Sequence, residues 1–252
     1  MASAQLSKPA SVKENWSDMS CSEFFKIETL DEPGLKKLYH EATCYGNLSG
    51  ILVVPDGTHD LGIDDTPAEL RSSEGGNKYT IYFVNKLNRT ERIMAIGHEL
   101  GHLLLIGKYG LISPPEVQFL LDNEAQVTIR TIQDVTHHLI LVDLLREEFG
   151  IHSDLHLDLI RNNLGDYLSD TELLQQVKAL RVFEYKKLIG NMEEIISVSD
   201  QGESFQKTYV SAVTRFGEYD FEHIFSLPDH YKENMISFLM DIGYIGKGGK
   251  TQ

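Results

Sequence analysis

Arg92-Ile93-Met94-Ala95-Ile96-Gly97-His98-Glu99-Leu100-Gly101-His102-Leu103-Leu104-Leu105 is the stretch that decides how this 252-residue chain is read. It contains the pattern HExxH. Two histidines four apart on a helix are separated by about 400° of rotation, so both rings leave nearly one face, one turn apart. That spacing suits two neutral imidazole nitrogens to one divalent cation, zinc above all, at about 2.0–2.1 Å each. Glu99 is turned about 100° from His98. It is an awkward ligand there, but it can reach water beside the cation and act as general base. With 10 His and 21 Glu in the chain, random placement gives about 0.03 such matches.

Working outward, Asn88 with Glu91 three residues on reads as a capping-box start. Ile93, Met94, Ile96, Leu100, Leu103 and Leu104 supply the apolar positions of a helix that runs to about Ile106, where Gly107 ends it. Upstream, Lys78 to Val84 (KYTIYFV) is aromatic and β-branched, the strongest strand in the sequence. Gly50 to Pro55 is a second short strand, and the Gly-, Asp-, Ser- and Thr-rich span Asp56 to Asn77 between them reads as a long loop or hairpin connection. Ser22 to Tyr45 has helical spacing, after a frayed end of about 20 residues. Downstream, Pro114-Pro115 opens a helix over Glu116 to Phe149, broken by Gly150. Helices are then expected over 153–163, 170–190, 203–216 and 229–242. The fold class is therefore α+β. A small zincin-like sheet with the HExxH helix occupies residues 1–150, and a mainly helical part of unknown role occupies 151–252.

The third ligand sets the subclass. A metzincin extension needs Gly at 105 and His at 108, where the chain has Leu105 and Lys108. A glutamate on the following helix is the alternative. Glu124, in Asn123-Glu124-Ala125, lies 22 residues after His102, a gap that suits one loop and an antiparallel return, and His₂Glu leaves a fourth position open. Glu116, Asp122 and His138 are rivals. Asp122 faces away if Glu124 faces the metal. His137-His138 lies about 20 Å beyond Glu124 on a continuous helix, too far to share its ion. His152 and His156 repeat the four-residue spacing without a glutamate; the pair could clamp a metal, but exposed helix histidines are commoner. Tyr209, His223, His230 and Tyr231 are candidates for stabilising an oxyanion.

The run Tyr79 to Asn85 (YTIYFVN), followed by Arg92 to Leu105, resembles the ImmA/IrrE group of gluzincin-type metallopeptidases over roughly residues 78 to 130. The resemblance implies a zinc peptidase with His98, His102 and Glu124 as metal ligands and Glu99 as base. It also implies a cytoplasmic, bacterial or phage-borne protein whose substrate is a protein such as a helix-turn-helix transcriptional repressor. The strand before the zinc helix, Lys78 to Val84, would then be the sheet edge that receives extended substrate. Gly97 stands where the family usually has Ala, and Glu124-Ala125-Gln126-Val127-Thr128 replaces the family's usual ending.

Charge excludes other classes. With 23 Lys and Arg against 38 Asp and Glu, the net charge is −15. Such a chain offers no overall field for phosphate backbones or anionic membrane surfaces, and it hints at a basic protein partner. No apolar run approaches the ~18 residues of a membrane span, and Met1 to Trp16 has no apolar signal core. Cys21 and Cys44 make no disulfide framework, which is the pattern of a reducing cytoplasm. The alternative to an enzyme is a catalytically silent, zinc-stabilised interaction or sensor module.

Overall fold

The computed structural model describes residues 31–45, 50–55, 67–72, 78–84, 86–114, 117, 123–190 and 197–246. The frayed end, the first part of the expected 22–45 helix, and the rival ligands Glu116 and Asp122 lie outside them. In chain order the elements are α1 (Pro33–Tyr45), β1 (Gly50–Pro55), β2 (Ala68–Ser72), β3 (Lys78–Phe83), α2 (Arg89–Gly107), α3 (Asn123–Phe149), α4 (Asp154–Ser169), α5 (Gln175–Leu188), a 3₁₀ turn (Val198–Asp200), α6 (Glu203–Phe216) and α7 (Leu227–Ile242). This is an α+β arrangement in which helix predominates.

The three strands pair in the order β1-β3-β2. β1 runs parallel to β3, with Val53 opposite Ile81, and β2 runs antiparallel to it, with Leu70 opposite the same Ile81. Two expectations change here. The span read as a loop contains β2, a five-residue strand (AELRS) too short and too polar to stand out. And Lys78–Phe83 is the central strand, so the edges fall to β1 and β2. The physical reason is that the aromatic, β-branched segment pairs on both sides, whereas a short charged strand suits an edge.

α2 begins as its sequence dictates. The Glu91 backbone N–H donates to Asn88 Oδ1 at 3.0 Å, and the Asn88 backbone N–H donates to Glu91 Oε2 at 2.8 Å. Ile96, Leu100 and Leu104 are fully buried. On the face toward α3, a Cβ at Gly101 would fall 2.2 Å from Leu141 Cδ1, so any larger residue here would force Leu141 to move. The close crossing brings the face that bears the two motif histidines against α3.

α3 is buried nearly all round, with Ile132, Val135, Thr136, His137, His138, Ile140, Leu144 and Leu145 all inside. A helix with so little solvated face sits in the middle of a fold. The buried apolar side chains form one cluster that extends from Leu35 to Ile245, with members on both sides of Gly150. Among the described residues no helix is long and apolar enough to cross a membrane.

Candidate metal centre

A cavity of about 500 Å³ opens between β2 and the helices α2, α3, α4 and α5. His98 and His102 of the motif reach it from α2, with Nε2 atoms 3.0 Å apart. Two ligands of a tetrahedral ion with ~2.05 Å bonds would be about 3.3 Å apart, so the helix alone sets nearly the right bite. α3 adds Asp134 and His138, which are four residues and one turn apart, and α4 adds His156. Donor atoms of His98, His138 and His156 lie within 4.8 Å of one another, as do those of His102, Asp134 and His138. These buried groups could hold a metal ion, and His138 belongs to both.

Hydrogen bonds fix which ring nitrogens carry protons. His137 Nε2 lies 2.7 Å from the Leu111 carbonyl oxygen, which can only accept, so Nε2 carries the hydrogen. Burial pushes His137 down to about 4, so the ring is neutral at pH 7 and its Nδ1 is bare. That Nδ1 accepts from His102 Nδ1–H at 3.0 Å. His102 Nε2 is therefore bare as well and faces the cavity. On the other side, His138 Nδ1 donates to the Glu184 carboxylate of α5. Its Nε2 has no hydrogen-bond partner and stands 3.4 Å from Asp134 Oδ1. His156 Nε2 likewise has none.

The carboxylates are held by Arg181, which donates to Glu184 Oε2 at 2.7 Å and to Asp134 Oδ2 at 3.1 Å. Burial would raise the Asp134 carboxyl, but His138 and Arg181 hold it well below the usual range. Glu184 is depressed against its burial by the same two partners. Burial pushes His98 and His102 well down, and their histidine neighbours add to this. Both are therefore neutral and free to act as ligands. Glu99 goes the other way. Burial, then the nearby Asp134 and Glu69 charges, push it up to about 8, against a backbone hydrogen bond from Leu70 of β2. A carboxyl poised near neutrality beside a donor cluster has the character of an acid–base group.

The structure brings His98, Glu99 and His102 together as expected. It does not bring Glu124 to them. Glu124 is exposed in the first turn of α3, and neither donor group includes it. The helix passes the motif ten residues later, about 15 Å further along its axis, so Asp134 and His138 occupy the place assigned to Glu124. His138 lies far from Glu124 along the helix but beside His98 and His102 across the crossing. His156 was read as an exposed histidine and is part-buried with its ring centroid 4.3 Å from that of His98. The signals for both were present in Asp134-x-x-x-His138 and His152-x-x-x-His156.

None of the four oxyanion candidates lines the cavity. Tyr231 is buried with its hydroxyl 3.2 Å from Thr136 Oγ1, Tyr209 is in the core, and His223 and His230 are exposed. Tyr167, Arg130 and Arg181 do line it, so its wall is not uniformly acidic.

Gly97 has a local reason. A Cβ there would lie 3.1 Å from Ile151 Cγ2, and Ile151 leads directly into the helix that carries His156. No family model, curated protein or solved structure matches the chain.

Proposed function

We propose that the protein is a zinc-dependent metallopeptidase that hydrolyses peptide bonds in a protein substrate. The observation that carries this reading is the pair of motif imidazoles with Nε2 atoms 3.0 Å apart in a cavity that Glu99 also lines. The donor chemistry fits zinc, because imidazole nitrogens and a carboxylate oxygen gather in two groups, His98 with His138 and His156, and His102 with Asp134 and His138, each within 4.8 Å. His98 and His102 would hold the ion, with further donors from Asp134 and His138. When bound, such an ion polarises a carbonyl and makes adjacent water more acidic.

The remaining work falls to side chains of this chain. Glu99, ionised once a cation beside it offsets the upward push of its burial, would take a proton from water at the cavity wall and pass it to the leaving amine. Arg130 and Tyr167 line the cavity and would meet a developing negative charge there. β2, whose Ala68 and Leu70 line the cavity, is the edge strand beside Glu99, and an extended segment of substrate pairs along it. A regulatory repressor as substrate rests on the resemblance to the ImmA/IrrE group.

The test is a comparison of wild type with Glu99→Gln on a quenched fluorescent peptide library and on a cell-extract digest. The variant should keep zinc and lose cleavage by 100-fold or more. Full activity in Glu99→Gln would end the proposal. A second reading, a catalytically silent zinc-held module, is favoured by the surplus of donors. Asp134 and His156 stand close enough to fill the fourth position that a catalytic site leaves open. Zinc that raises the melting temperature while no peptide is cut by wild type would favour it.

A further inference from the structure

We propose that His138 is the third protein ligand of the metal, and that Glu184, far along the helical part, positions it. This deepens the reading of the cavity as a metal site and rests on that reading, but not on peptidase activity. Three observations carry it. His138 is the one donor shared by both groups of converging ligand atoms. Its side chain is 4% exposed, its Nε2 is without a hydrogen-bond partner, and that atom points at the space the motif histidines face. Its one near neighbour is Asp134 Oδ1 at 3.4 Å, beyond hydrogen-bond geometry, and a cation held between the two would complete both.

The third observation is how the ring is held. Its Nδ1 hydrogen is given to Glu184, whose side chain is 1% exposed and fixed in turn by Arg181 at 2.7 Å. A carboxylate behind an imidazole fixes the tautomer that turns Nε2 toward a metal and raises the basicity of that nitrogen. A carboxylate and a guanidinium are costly to bury for packing alone, and Glu184 gives one oxygen to His138 and the other to Arg181. Asp134 is a weaker claimant. Arg181 occupies its Oδ2 at 3.1 Å, and its Oδ1 stands 3.9 Å from His102 Nε2. The helical half, for which the sequence suggests no role, thus supplies the group that sets the third ligand.

The experiment uses full-length protein loaded with cobalt(II). His138→Cys should gain an intense sulfur-to-cobalt charge-transfer band in the near ultraviolet, whereas Glu124→Cys should gain none. X-ray absorption at the zinc edge of wild-type protein should show three imidazoles, a measurement that needs no variant to fold. Glu184→Gln should weaken cobalt binding 10- to 100-fold in competition with a chelator, and should have no further effect in a His138→Ala background. A folded His138→Cys without the band, or only two imidazoles in wild type, would overturn the assignment while leaving a metallopeptidase possible. Equal effects of Glu184→Gln in both backgrounds would overturn the positioning role. Wild type that takes up no cobalt or zinc at all would overturn the metal reading together with this inference.

Discussion

His102 Nδ1 lies 3.0 Å from His137 Nδ1, and this contact orients the second motif histidine from a different helix. His137 lines the cavity but belongs to neither group of converging donor atoms. It relays the Leu111 carbonyl to His102 through its own tautomer. Its removal should therefore act on metal affinity at a distance. His137→Phe leaves the His102 Nδ1–H without an acceptor, which costs about 1–3 kcal/mol of stability, and frees the ring to turn. Zinc affinity, read by chelator competition, should fall 10- to 100-fold. His137→Gln, whose amide can accept from His102 and donate to Leu111, should recover most of the loss.

The metal-free protein should show a pH-dependent stability that traces to Glu99. Burial, and then Asp134 and Glu69, raise its carboxyl from 4.5 to about 8. The folded state thus holds this proton more tightly than the unfolded chain. That stabilisation is complete below pH 4.5 and is lost as the pH rises through 8. Glu99→Gln removes the dependence. In chelator-treated samples the variant should be more stable than wild type by about 2 kcal/mol at pH 8.5, the full shift being discounted because the side chain is partly exposed. The two should converge near pH 4.5. Both should share an acid limb, because buried His137, held at about 4 against 6.5, destabilises the fold as pH falls between those values. Urea melts across the range check each limb.

Gly101→Ala weighs two effects of opposite sign. Alanine gains about 0.5–1 kcal/mol in helix propensity. Its Cβ would lie 2.2 Å from Leu141 Cδ1, however, and an overpacked core costs about 1–3 kcal/mol. The clash wins, so the variant should melt lower. Leu141→Ala also destabilises alone, by about 2–5 kcal/mol. The double variant should cost clearly less than the two together, because the second change makes room for the first. Additive values would show that α2 and α3 do not cross at this pair.

The sequence carried local features well and distant ones poorly, for physical reasons. The capping box at Asn88 and Glu91, the end of α3 at Gly150, and the β1 and β3 segments are set by neighbours within a few residues, and each was legible. His98, Glu99 and His102 sit on one helix turn, so their relation is also local. β2 was missed because an edge strand needs little apolar pattern. Asp134, His138, His156 and Glu184 were missed as partners because their meeting depends on where α2 crosses α3 and on how α4 and α5 fold back. One methyl-sized gap at Gly101 sets the first of these, and periodicity does not report it.

Glu124 gives the sharpest contrast between local and distant reasoning. Spacing and resemblance both point to it as a ligand, yet it stands exposed on the first turn of α3. Asp134 and His138 lie 10 and 14 residues further on, about 15 and 21 Å along the axis. If the ion sits where the imidazoles converge, Glu124→Ala removes an exposed carboxylate about three or four turns away. Zinc affinity should then change by less than about twofold, the residue of a screened charge at that distance. His138→Ala, measured in the same chelator competition, should lose at least 100-fold, about 2.7 kcal/mol of binding. A Glu124→Ala variant that loses tenfold or more would mean that the start of α3 reaches the metal, and the ligand set would have to be redrawn around it.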